Sequence, residues 1–194
     1  MQKLEPLLYE NIDFTLFLLL IFLSFSCKKL LVNPKDKLPP ATQVGKNTFG
    51  CVINKEPYIA SETIFGHVSP VRATYYPSGK ETQKEAYLVI QGIDARYDLP
   101  IAGDLGIQMV GVTGEGTYQL ISQKCEEYYK CDHVFYFNSD DNTTYEATSG
   151  KLVITKFDKV QQIISGTFEF EAAASNNRKV KVTAGRFDIK YSVY

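Results

Sequence analysis

The chain has 194 residues, a formal net charge of −1 and 44% hydrophobic residues. That length fits one domain with a sizeable core. The balance of 21 Lys and Arg against 22 Asp and Glu argues against nucleic acid, which selects basic faces, and against an electrostatic membrane contact.

The first element is an apolar run, Phe14 to Phe25, that ends at Ser26-Cys27-Lys28-Lys29. It is too short for a spanning helix, which needs about 20 residues, and has the size of a secretory signal core. Ser24 and Ser26 are small residues at the −3 and −1 positions before Cys27, as signal cleavage requires. Leu23-Ser24-Phe25-Ser26-Cys27 is a loose lipobox with a bulky Phe25, and it makes Cys27 the lipidation candidate. Plain secretion and an uncleaved anchor are the competing readings. The expected organisation is a signal helix over 1–26, a tether over 27–46 and one β domain over 47–194. The tether carries Pro34, Pro39 and Pro40 and has no apolar period, so it is expected to stay extended. After removal of residues 1–26 the chain keeps 20 Lys and Arg and 19 Asp and Glu.

From Thr48 onward the pattern is β. Strands are expected over Thr48–Asn54, Val71–Tyr76, Glu85–Ile93, Leu105–Val112, Thr117–Ser122, Val134–Asn138, Thr143–Ala147, Lys151–Phe157, Gly166–Ala172 and Arg186–Tyr191. Asn54-Lys55-Glu56-Pro57, Tyr76-Pro77-Ser78-Gly79, Thr113-Gly114-Glu115-Gly116 and Ser139-Asp140-Asp141-Asn142 are the turns between them. Ser122 to Tyr129 has room for one helical turn. Phe168, Phe170 and Ala172 alternate with Glu169 and Glu171. Phe187, Ile189 and Tyr191 alternate with Arg186, Asp188 and Lys190, which places Asp188 on the wet face. One buried and one wet face mark an antiparallel sheet. The fold expected is all-β, an antiparallel sandwich of about ten strands or a barrel.

Four cysteines are present. Cys125 and Cys131 enclose a short polar loop and form the disulfide candidate in an oxidising compartment. Cys51 lies in an apolar strand and reads as a buried thiol. Zinc is disfavoured, since only His67 and His133 are present and no paired C-x2-C spacing occurs. Cys131-Asp132-His133 places a thiol and an imidazole on one strand face, but a bridge through Cys131 would remove the nucleophile. Asp140, Asp141, Asn142 and Glu146 lack the spacing of a calcium loop. Glycine-rich Gly103 to Gly106 and Gly111 to Gly116 lack the ending of a phosphate loop, and no Gly-x-Ser-x-Gly elbow exists. Glu169 and Glu171 read as solvated strand residues. Thirteen tyrosines and no tryptophan fit a β composition, and some among Tyr75, Tyr76, Tyr128, Tyr129, Tyr136 and Tyr145 are expected at the surface, to stack on sugars or partners.

Two stretches carry a resemblance. Leu38-Pro39-Pro40-Ala41-Thr42-Gln43-Val44-Gly45-Lys46-Asn47-Thr48-Phe49-Gly50-Cys51 resembles the opening of an uncharacterised family of Bacteroidota lipoproteins. Ser165-Gly166-Thr167-Phe168-Glu169-Phe170 and Gly185-Arg186-Phe187-Asp188-Ile189-Lys190-Tyr191 resemble its close. The resemblance implies a β-rich exported domain of unknown function, with no catalytic residues to carry over. Gly166 and Gly185 suit close backbone approach or bulges. In that phylum, surface-exposed lipoproteins often have acidic residues after the cysteine. Lys28 and Lys29 therefore favour the periplasmic face.

The expectation for function is a non-catalytic binding or structural module of the cell envelope. It would be held to the membrane by lipid on Cys27, need no cofactor or metal, bind no nucleic acid, and meet a glycan or an envelope protein. A lipid or glycan carrier with a barrel cavity is the alternative, and an envelope hydrolase is the second.

Overall fold

In a computed structural model, residues 33–61, 69–79, 85–96, 100–124 and 131–194 are described. The expected signal helix, Cys27, Cys125 and most of the possible turn at Ser122 to Tyr129 lie outside them. A short 3-10 turn, Pro34–Lys37, precedes eleven strands: β1 (Thr48–Ile53), β2 (Glu56–Ile59), β3 (Val71–Tyr76), β4 (Tyr87–Asp94), β5 (Gly103–Val110), β6 (Gly116–Gln119), β7 (His133–Asn138), β8 (Thr143–Asp158), β9 (Ile163–Ala173), β10 (Lys179–Lys190) and β11 (Ser192–Val193). The all-β antiparallel expectation holds. The strands form one curled sheet in the order β11-β3-β4-β5-β7-β8-β9-β10-β1-β2, with β6 paired to β8. β11 continues β10 after Tyr191 and pairs in parallel with β3, so the sheet turns back on itself and its halves share one core.

The first hairpin has a cause that the sequence reading placed one residue too late. Ile53 pairs with Glu56, leaving Asn54-Lys55 as a two-residue loop with φ of 48° and 77°. Two positive φ values make the turn that matches strand twist, and Asn tolerates the first. Glu56 and Pro57 therefore belong to β2. A proline is accepted there because β2 is an edge strand. The two strands expected at Thr143–Ala147 and Lys151–Phe157 are one sixteen-residue strand, β8. Gly150 does not break it. Bulges between Ala147 and Ser149 and between Ile154 and Lys156 bend it instead.

The interior is filled by side chains. Phe49 stacks on Phe168 with centroids 5.1 Å apart and meets Tyr58 edge-on at 6.4 Å, and Tyr58 meets Tyr136 at 6.2 Å. Such pairs add to their burial energy. The Tyr58 hydroxyl lies 2.7 Å from the Gly92 carbonyl oxygen and 2.8 Å from that of Gly103, and it can donate to either. The Tyr136 hydroxyl donates to the Ile101 carbonyl at 2.9 Å. Burial pushes both phenols up, well away from ionisation at neutral pH. Tyr58→Phe leaves two buried carbonyl oxygens without that donor. It is expected to lower stability by about 1–3 kcal/mol, readable as a shift in the urea midpoint at unchanged slope.

Pro34 to Tyr194 form one compact unit, so the second part of the stretch read as a tether is docked on the sheet. Leu38 is buried, and Arg186 Nη2 donates to the Lys35 carbonyl at 3.1 Å. The centre of this docking is Asp188. Its carboxylate accepts hydrogen bonds from Thr42 Oγ1 (2.6 Å), Ser165 Oγ (2.7 Å) and the backbone N–H groups of Val44 (3.1 Å), Gly45 (2.7 Å) and Lys46 (3.1 Å). Three successive N–H groups around one anion form a nest. The alternation does place Asp188 outward, but it is only 1% exposed because the leader covers it. The two resembling stretches, far apart in sequence, meet at this carboxylate.

Candidate functional site

The outer face of β8, β9 and β10 carries a concavity. Its cause is a bulge in β10. Val182 pairs with Phe170 and Gly185 with Phe168, so Thr183 and Ala184 together face Glu169. Ala184 has φ 53°, a left-handed conformation that costs a non-glycine residue about 1–2 kcal/mol. At Gly185 a Cβ would lie 2.5 Å from the Phe168 ring, and at Gly166 one would lie 2.2 Å from the Val153 carbonyl oxygen. Both glycines therefore serve close approach, as the sequence suggested.

The bulge opens a groove of about 410 Å³ on one side and a depression of about 220 Å³ on the other. The groove lies between the docked leader at Ala41 and the β8–β10 face. Val153, Phe168, Ala184 and Gly185 give it apolar surface, while Lys151, Thr167, Glu169 and Arg186 supply polar groups. Lys151 Nζ lies 3.0 Å from Glu169, and Lys181 Nζ lies 3.1 Å from Glu171 across the neighbouring pair of strands. Both pairs are exposed and each stabilises the fold by under about 1 kcal/mol. These charges can therefore re-pair with a ligand at little cost. The arrangement can donate and accept hydrogen bonds over an apolar base.

The structure disperses the other candidate residues. Cys51 is a buried free thiol, and burial pushes its pKa up. Cys131 is disulfide-bonded, with its partner outside the described residues. Asp132 accepts a hydrogen bond from the Val110 N–H at 2.8 Å; burial raises its pKa more than that bond lowers it. The His133 ring stacks on Phe135, and its Nε2 lies 3.8 Å from Glu146. Asp141 pairs with Arg178 at 2.6 Å, which ties the β7–β8 turn to the β9–β10 turn. Among the described residues no group of three His, Cys, Asp or Glu side chains is placed to hold a metal. Several tyrosines considered for the surface are interior: Tyr75, Tyr136 and Tyr145 are buried.

Sequence reasoning saw Glu169 and Glu171 but not Lys151, Thr167, Lys181 or Arg186. The missing signal was register. Lys151 pairs with Glu169 and Lys181 with Glu171 only once β8, β9 and β10 are aligned.

Fold and groove together define a curled antiparallel β domain with a groove on its outer face. Residues 72–189 match the family described as domain of unknown function DUF6252, and the chain belongs to that family. The matched segment holds the closing pair of stretches up to Ile189 and begins after the opening one. No curated protein and no solved structure matches the chain.

Proposed function

We propose that this protein is an exported, lipid-anchored, non-catalytic binding domain of the bacterial cell envelope. The observation that carries the binding part is the division between a side-chain-filled interior and an open groove on the outer face, with polar groups over an apolar base. It supports surface recognition over carriage of a small molecule within the sheet. Export draws support from the bridged state of Cys131, since disulfides persist in oxidising compartments. The anchor rests on the apolar run ending at Cys27. The partner is a glycan or a polar segment of an envelope protein, read by Lys151, Glu169 and Arg186. Lys28-Lys29 favour the periplasmic face.

The test has two arms. Cells expressing the chain and fed labelled palmitate should label it, and Cys27→Ser should abolish the label. Thermal scans of the full chain against oligosaccharide, peptidoglycan-fragment and peptide panels should give a hit that Arg186→Ala removes. A ligand at 100 times its dissociation constant adds about 2.7 kcal/mol, a shift of several degrees for this size. A hydrolytic turnover of any panel member by the purified chain would overturn the non-catalytic reading.

A further inference from the structure

One end of the curled sheet differs from the rest of the surface. The leader turn at 43–46, the β8–β9 turn at 159–162, the end of β10 and the C-terminal strand β11 meet there. Gly45 packs against Lys190 and Ile163, Tyr191 N–H donates to the Gln162 carbonyl at 2.8 Å, and Tyr194 N–H donates to the Tyr75 carbonyl at 3.2 Å. Among the described residues, five large apolar side chains are exposed, and four of them, Val44, Val160, Val193 and Tyr194, are at this end. Val160, at the tip of its turn, is 94% exposed. Tyr194 stacks on Tyr76, which stacks on Tyr87 with centroids 4.0 Å apart.

The same end carries four lysines. Lys46, Lys156, Lys159 and Lys190 surround these apolar groups. Three carboxylates there, Asp158, Glu115 and Asp188, are held by backbone N–H groups. Asp158 accepts hydrogen bonds from the Val160 and Gln161 N–H groups and pairs with Lys156, Glu115 accepts from the Phe157 N–H, and Asp188 is enclosed by the leader. Among the described residues Lys46, Lys159 and Lys190 have no ion-pair partner. The opposite end carries Lys55 and Lys179 together with Asp140, the Asp141–Arg178 pair and the Asp94–Arg96 pair, and none of the four large apolar side chains exposed at the first end.

Exposed apolar tips among lysines are the composition of a surface that sits at a lipid interface. We infer that this end of the domain docks onto the anionic headgroup surface of the bilayer, with Val160 and Tyr194 entering the interface and Lys46, Lys159 and Lys190 meeting lipid phosphates. The inference rests on the anchored reading, and chain length agrees with it. Seven residues from Cys27 to Pro34 span at most about 25 Å. The leader meets the sheet at Arg186, four residues before Lys190, or about 13 Å along the strand. An anchor at Cys27 can therefore reach the plane of this end.

The chain has no tryptophan, so Val160→Trp creates a single emitter at the proposed contact, and Asp140→Trp creates one at the opposite end. Full-length, acylated protein is reconstituted in vesicles of brominated phosphatidylcholine, with and without phosphatidylglycerol. Flotation reports the anchor and bromine quenching reports docking. The Val160→Trp variant should be quenched at least twofold more than the Asp140→Trp variant in the anionic vesicles. That difference should shrink in high salt and when Lys46→Glu, Lys159→Glu and Lys190→Glu are added together. Protein that floats with equal quenching in the two variants overturns docking and leaves the anchor standing. Protein that does not float, yet shows salt-sensitive quenching in the Val160→Trp variant, overturns the anchor and supports docking. Absence of both overturns both.

Discussion

Replacing Asp188 by alanine should destabilise the domain by about 3–5 kcal/mol, because it strips the acceptor from five donors and exposes an enclosed face. Urea unfolding would read the loss. Limited proteolysis after Lys37 and Lys46 should become rapid under conditions where the unaltered protein resists it, since the leader loses its latch. Resistance equal to that of the unaltered protein would mean that Leu38 and Pro39 hold the leader without Asp188. The acid dependence has a definite sign. Burial raises the pKa of Asp188, but hydrogen bonds from Thr42, Ser165, Gly45 and Val44 lower it further, and the net value is about 2. The folded pKa thus lies below the unfolded value of about 3.9. The associated stabilisation, about 2–3 kcal/mol, is present above about pH 4 and lost as pH falls through about 2. Asp188→Asn should lack this part of the acid transition.

Phe49→Ala is expected to cost about 3–5 kcal/mol, the range for emptying a buried aromatic site. Phe49 is 1% exposed and stacks on Phe168. Its ring also occupies the space over Gly92, where a Cβ would lie 2.3 Å from Phe49 Cδ1. Gly92→Ala should therefore destabilise on its own by forcing the ring aside. Combined with Phe49→Ala, it should cost much less than the sum of the two, because the new methyl enters space the ring has left. A double-mutant cycle would read that coupling as about 1–3 kcal/mol. Strict additivity would show that the ring relaxes freely and that Gly92 is not its seat.

The period-two pattern carried most of the strands because side chains in a one-sided sheet must alternate. Val71–Tyr76 is read with its observed ends, and β9 differs only by extension to Ile163 and Ala173. The continuity of β8 was hidden because Ser149-Gly150 looks like a stop. Both residues stay paired to β9, opposite Glu171 and Phe170, and the irregularity falls just before them, at Thr148. β11 was hidden because two residues have no period. Asp188 shows the limit most clearly: its place in the alternation is as expected, and its burial depends on a leader that has no pattern of its own. The groove was illegible for a related reason. Glu169 looks solvated along its strand, and only the register with β8 and β10 places Lys151 opposite it and the extra residue Ala184 beside it.

The latch between Thr42 and Asp188 joins residues 146 positions apart. A chain made from its N-terminus delivers the leader early and β10 late. The first segment of the domain to arrive therefore waits for almost the last before it has a place to bind. Contacts this distant in sequence slow folding, since the loop must close before they contribute. A product truncated before Asp188 would keep a loose, cleavable leader, and synthesis through β10 is what makes that leader resistant.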